Sequence, residues 1–329
     1  MKKNILITRH DKIGDFVVSL PMFKALKTQR PELVIHALVA KVNFEFAQQI
    51  SYIDHVILYD ADHLDETLAA IKAANIDTSI SAFINSTLGW LLLRAKVKTR
   101  IAPATKIAQI FFNKTVKQRR SRVEKREFEY NLDLLLAFDP TLNLAYTQPL
   151  IDFPASQSAA VIADFRSEYK IPLNHKIIAF HPGSGGSAEG NLKVEDYIEL
   201  ARSLTVKANI TLVFTFGPDD QTLREHFSQE IDFDVVMYNS TGSLSRFCML
   251  LSHFSLFVST STGTMHLSAA SNINTLSFFG EALVSSPQRW ASVSQAQKQH
   301  NIVLPSDYSD SEFHTIKQQL LDIIDQEIG

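Results

Sequence analysis

Short runs of β-branched and aromatic residues alternate along the chain with stretches in which apolar side chains recur every three or four positions, the pattern of parallel-sheet α/β domains. In the first half this predicts strands over 4–8, 33–39, 55–59, 78–84 and 99–101. Helical spacing lies between them, clearest at Leu64, Ala69 and Ile71 and again at Phe128, Leu132, Leu135 and Leu136. The proline-bearing segment 139–154 reads as a linker. A second series follows, with strands over 176–180, 210–216, 235–238, 256–259 and 275–278 and helices starting near Val194, Asp220, Ser243 and Thr264. Leu244, Phe247, Leu250 and Leu251 form a helical core face that takes in Cys248 as a small buried residue. Two Rossmann-like domains are therefore expected, 1–150 and 151–310, with parallel sheets facing a cleft. A last amphipathic helix, 311–329, is expected to pack back across the domain junction.

The length of 329 residues suits two buried cores, and 45% hydrophobic with 20% charged residues is ordinary globular usage. The single cysteine can form no internal disulfide, so a reducing cytoplasm is the expected compartment. The start, Met1-Lys2-Lys3 into Ile5-Leu6-Ile7, is too short for a signal-peptide apolar region, and the apolar run at 88–93 is too short to span a bilayer.

Net charge is only −3, but it is unevenly placed. Between Arg94 and Arg126 twelve Lys or Arg face one acid, Glu124, which leaves −14 for the rest of the chain. This run reads either as a solvated basic loop or, because Ile107, Ile110, Phe111 and Phe112 interleave with it, as a docking face for something anionic such as a membrane surface. Nucleic acid is not expected, since no aromatic stacking motif accompanies the run and the protein as a whole is acidic.

Three loops carry candidate chemistry. The first βα turn, Arg9-His-Asp11-Lys12-Ile13-Gly14-Asp15, has one glycine where a dinucleotide fingerprint needs three, and it is not a Walker A loop. Asp15 serves there either as a helix cap or as an acid at the mouth of the cleft. Pro21 calls for a kink in the helix that follows, or for a later start. In the second half, His181-Pro-Gly-Ser184-Gly185-Gly-Ser-Ala188 leaves a strand as a Gly/Ser-rich loop suited to phosphate or serving only as a connector. Ser259-Thr-Ser261-Thr262-Gly263-Thr-Met-His266 adds four hydroxyls and a glycine at another strand end, and the two loops together can grip one diphosphate. His266 is either structural or a hydrogen-bond partner for the anion. Gly217-Pro-Asp219-Asp220 offers acids to a ribose.

These residues resemble glycosyltransferase family 9, the bacterial heptosyltransferases of lipopolysaccharide inner-core assembly, over nearly the whole chain. The likeness rests on Ile5-Leu-Ile-x-Arg9-x-Asp11-Lys12-Ile13-Gly14-Asp15, Ser19-Leu-Pro21, Ala25-Leu-Lys27, Glu129-Tyr-Asn131-Leu-Asp133, His181-Pro-Gly-Ser184, Thr262-Gly263-x-Met265-His266 and Phe278-Phe-Gly280. The resemblance implies a GT-B fold and inverting transfer from ADP-heptose to the Kdo–lipid A inner core, with no metal and no cofactor. Asp15 would be the general base. The donor would meet Ser184, Gly185, Lys193, Gly217, Asp219, Ser243, Ser261, Thr262, Gly263 and His266. The acceptor would meet Arg9, Lys12, Gly14, Arg119, Arg120 and Arg122, at the cytoplasmic face of the anionic inner membrane. Two departures from the family pattern stand out. Ser261 replaces an acid common before the Thr-Gly of the donor loop, and Gly190-Asn-Leu-Lys193 replaces a Lys-x-Trp-Pro group. They leave room for another nucleotide sugar or acceptor, or for a silent nucleotide-sugar binding protein.

Overall fold

Ile5, Leu6 and Ile7 have no exposed surface, because both faces of their strand are covered by helices. The computed structural model describes residues 3–185 and 189–328, and the chain divides into two compact units, Met1–Asp152 and Phe153–Gly329. In the first unit the strands are β1 (Asn4–Arg9), β2 (Val34–Ala40), β3 (His55–Tyr59), β4 (Thr78–Ser81), β5 (Thr99–Pro103) and β6 (Lys114–Val116). They form one parallel sheet in the order β3-β2-β1-β4-β5-β6, with Ile5 opposite Ile35 on one side and Thr78 on the other.

The second unit repeats this plan. Its strands are β7 (Lys176–His181), β8 (Ile210–Phe216), β9 (Val236–Asn239), β10 (Leu256–Thr260), β11 (Asn274–Phe279) and β12 (Gln299–Val303). Their order is β12-β11-β10-β7-β8-β9, again all parallel. One face is filled by aromatic packing, with Phe180 stacked on Phe214 and Phe227 wedged against Phe214, Phe216 and Tyr197.

Each sheet has six strands where periodicity predicts five. The extra strands, β6 and β12, are edge strands with polar sequences, Lys114-Thr-Val and Gln299-His-Asn-Ile-Val, and carry no hydrophobic run. The expected strand over 78–84 ends at Ser81, because the chain then leaves the sheet and Asn85 caps the helix Ser86–Arg94 by accepting from Leu88 N at 2.7 Å. Pro21 falls at the second position of Leu20–Gln29, just after the short helix Ile13–Val17, where its missing N–H removes no helical bond. The terminal helix Asp310–Ile328 buries Phe313, Leu320 and Ile324 in the core of the second unit. Cys248 is buried, as its place on an apolar helix face implies. No helix among the described residues is long and apolar enough to cross a membrane.

Candidate active site

Strand order reverses once in each sheet, between β1 and β4 in the first unit and between β10 and β7 in the second. Loops leaving the carboxyl ends of the two strands at such a point run in opposite directions and open a crevice, the usual ligand position in parallel α/β sheets. The candidate loops lie there.

In the first unit, Arg9 ends β1 and is 3% exposed. Its Nε donates to Asp11 Oδ1 at 2.9 Å, its Nη2 donates to Asp15 Oδ1, and its Nη1 lies 3.6 Å from Glu127 Oε1. Burial opposes the guanidinium charge, but Asp15, Asp11 and Glu127 outweigh it and hold Arg9 above its ordinary range. Glu127, equally buried, opens the helix Glu127–Phe138 and also accepts from Arg120 Nη1 at 2.6 Å. Burial pushes the Asp11 carboxyl up to about 6 against the pull of Arg9, and Asp15 adds to the rise. His10 packs on Tyr59 and Phe83 with Nε2 3.2 Å from Asn85 Nδ2, and burial pushes its imidazole down to about 4. The loop after β1 is thereby tied to the loop after β4.

Asp15 does not cap its helix. It is the third residue of Ile13–Val17, half-buried, with Oδ1 held by Arg9 and no other hydrogen bond among the described residues. A carboxylate fixed through one oxygen with the second available is suited to take a proton.

The acceptor residues expected from sequence separate here. Arg9 and Arg120 are turned inward onto carboxylates, and Arg120 also bonds Gln118 Oε1 at 2.9–3.0 Å. Both hold acids of their own unit. Lys12, Arg119 and Arg122 are exposed, and Gly14 is half-buried beside Asp15. Sequence reasoning missed Glu127, whose role depends on a helix start far along the chain from Arg9.

In the second unit, Ser261, Thr262 and the start of the helix Gly263–Ala270 follow β10, while Pro182–Gly185 follow β7. Ser261 through Thr264 are half-buried, and the first N–H groups of that helix lack helical partners. Thr262 Oγ1 lies 2.8 Å from Thr264 Oγ1. A cavity of about 580 Å³ adjoins the β7 loop and is lined in part by Ser184, Gly185, Asn191, Lys193, Asp219 and Asp220. Gly186, Ser187 and Ala188 of the expected phosphate loop lie outside the described residues.

The expected donor residues differ in burial and in the partners they meet within the unit. His266 is 3% exposed, and burial pushes its imidazole down to about 4, so it is neutral and adds no charge. Its ring meets Trp290 edge-on. Lys193 lines the cavity, but Nζ donates to Tyr308 O at 3.2 Å and lies over the Tyr308 ring. Asp220, not the exposed Asp219, is the structured acid: its Oδ2 accepts from Gly217 N at 2.8 Å, and a Cβ on Gly183 would come within 2.5 Å of that oxygen. Ser243 is exposed and caps the helix Leu244–Leu251 beyond the edge strand β9, away from the reversal point.

The segment that departs from the family pattern closes the loops. Gly190, at φ +78, sits so close to β11 that a Cβ would fall 2.3 Å from the Phe279 carbonyl, and its own carbonyl accepts from Thr260 Oγ1 at 2.7 Å. Asn191 donates to Pro182 O and accepts from Tyr197, while Leu192 is buried.

Two six-stranded parallel Rossmann-like sheets, one in each unit, make the GT-B fold. The chain belongs to glycosyltransferase family 9 (heptosyltransferase), whose pattern matches residues 71–319. A Haemophilus influenzae protein provisionally described as a glycosyltransferase is 35% identical over 305 residues, 90% of this chain and 88% of its own. The fold is similar to that of Escherichia coli ADP-heptose lipopolysaccharide heptosyltransferase II, with a TM-score of 0.82 at 16% identity over 100% of this chain and 98% of that one. It is also similar to that of E. coli heptosyltransferase WaaC with ADP, with a TM-score of 0.72 at 17% identity over 97% and 99%.

Proposed function

We propose that the protein transfers heptose from ADP-heptose to the Kdo-bearing inner core of lipopolysaccharide with inversion at the anomeric carbon. The observation that carries this reading is Asp15, anchored through one oxygen by the buried Arg9 at the strand-order reversal of the first unit. Asp15 takes the proton of an acceptor hydroxyl as that oxygen bonds to the anomeric carbon. The bond from that carbon to the diphosphate breaks, and its electron pair leaves on ADP.

The second unit holds the donor. Ser184, Ser261 and Thr262 offer hydroxyls, and the helix start at Gly263 offers backbone N–H groups to the charge developing on the leaving diphosphate. This arrangement needs no metal. The family, and the relatives named for ADP-heptose or crystallised with ADP, support the choice of donor. A lipid-borne acceptor would bring the enzyme to the anionic cytoplasmic face of the inner membrane.

The test is nucleotide release from ADP-, UDP- and GDP-sugars with and without heptose-deficient lipopolysaccharide, in the presence of EDTA. Acceptor-dependent ADP release from ADP-heptose alone is expected. Preference for a different sugar would favour the second reading, in which Ser261, replacing an acid, marks altered sugar selection. Loss of activity on chelation would contradict the metal-free mechanism.

A further inference from the structure

The first unit carries a surface that the transfer chemistry does not use. The helix Ser86–Arg94 links β4 to β5, and the 3-10 turn Ile107–Phe111 links β5 to β6, so both lie at the same edge of the sheet. They are in direct contact, since a Cβ on Gly89 would fall 2.6 Å from Phe111 Cβ. Arg100 fastens the turn from beneath, donating to Phe111 O at 2.7 Å and to Val97 O at 2.6 Å.

On this braced pair four large apolar side chains remain in solvent: Ile107 at 83%, Ile110 at 74%, Leu93 at 49% and Trp90 at 38% exposure. Ile107 and Ile110 are three apart on a 3-10 turn and share one side of it, as Trp90 and Leu93 do on their helix. The Arg94 guanidinium lies 4.9 Å over the Trp90 ring. In the same stretch of chain Lys96, Lys98, Lys106 and Lys114 are exposed, and no acid occurs anywhere from residue 78 to 123.

We propose that this face docks on an anionic lipid bilayer, with Ile107, Ile110 and Leu93 entering the headgroup region, Trp90 at its boundary and the lysines on lipid phosphates. A run of cations without an acid from residue 78 to 123, on a protein of net charge −3, is complementary to a negatively charged surface. The exposed isoleucines select a bilayer over a nucleic acid, whose phosphates would give them nothing to bury against. The proposal rests on the reading above only in giving the docked enzyme a lipid-borne acceptor. Vesicle binding is measured without donor or acceptor, so its failure leaves the transfer chemistry standing.

The experiment is flotation of the full chain with vesicles containing phosphatidylglycerol or made of phosphatidylcholine alone, for wild type and the double variant Ile107→Glu/Ile110→Glu. Both positions are exposed, so the fold should survive. Wild type is expected to float with the phosphatidylglycerol vesicles and the double variant to bind them at least about tenfold more weakly, with ADP affinity unchanged. In a Trp290→Phe background the remaining Trp90 emission should shift to the blue on the same vesicles. Deacylated acceptor should be used equally by wild type and double variant. Equal vesicle binding by the two proteins, no Trp90 shift, or capture of a short RNA in preference to vesicles would overturn the proposal. Unequal use of deacylated acceptor would also overturn it, by placing the isoleucines in the acceptor site.

Discussion

Arg9 donates from Nη2 to Asp15 Oδ1 while its Nε donates to Asp11 Oδ1, so one buried guanidinium fixes two carboxylates within the seven residues 9–15. The planar fork of arginine does this with two separate N–H directions, which a lysine ammonium on a flexible stem cannot reproduce. Arg9→Lys is therefore expected to lower kcat by about 10- to 100-fold while ADP affinity stays within about twofold. Steady-state kinetics with separate donor titration checks this. An unchanged kcat would mean that Asp15 needs no such anchor.

Glu127 completes the cluster by meeting both Arg9 and Arg120. Removing one partner of a buried ion pair leaves the other charge uncompensated, so Glu127→Gln is expected to cost about 3 kcal/mol in urea unfolding. Truncating the exposed Arg119 should cost less than about 0.5 kcal/mol, a contrast that separates a structural arginine cluster from surface charge.

Asp11 gives the site a pH signature. Its folded-state pKa, about 6, lies above the ordinary carboxylate value, so the folded chain keeps this proton longer than the unfolded chain does. The stability this contributes is fully present below about pH 4 and is lost as pH rises to about 6. Compared with Asp11→Asn, whose side chain stays neutral, wild type should lose roughly 1–2 kcal/mol between those values. Parallel denaturation curves at each pH measure the difference. A gap between the two proteins that does not change with pH would contradict the burial of this carboxyl.

Gly190 tests the coupling between donor loops. An added methyl there would strain a left-handed backbone and collide with Phe279, displacing the carbonyl that Thr260 Oγ1 holds. Gly190→Ala should weaken ADP binding at least about tenfold by calorimetry. Gly185→Ala, also at positive φ but with open space around the Cβ, should cost only about 1 kcal/mol of stability.

Ten of the twelve strands and the loops at both reversal points were legible in the sequence, because buried parallel strands are apolar runs and the loops that follow them are charged in the first unit and rich in Gly and hydroxyls in the second. The edge strands β6 and β12 were not, since half-exposed polar residues leave no periodic trace. Arg9 was visible as a basic residue near the acid, but its role was hidden. Whether an arginine meets a ligand or carboxylates of its own chain depends on where Glu127 lies, and Glu127 comes from a helix distant in sequence. His266 was likewise legible as a residue beside the donor loop, while its neutrality follows from burial that only the packed fold supplies.

The most direct test is acceptor-dependent ADP release by Asp15→Asn alongside its ADP affinity. Asparagine keeps the shape and the contact with Arg9 but cannot take the proton. The expected result is a loss of about 10²- to 10⁴-fold in turnover with ADP affinity within about twofold of wild type. Turnover near the wild-type rate would remove Asp15 as the base and contradict the proposed mechanism.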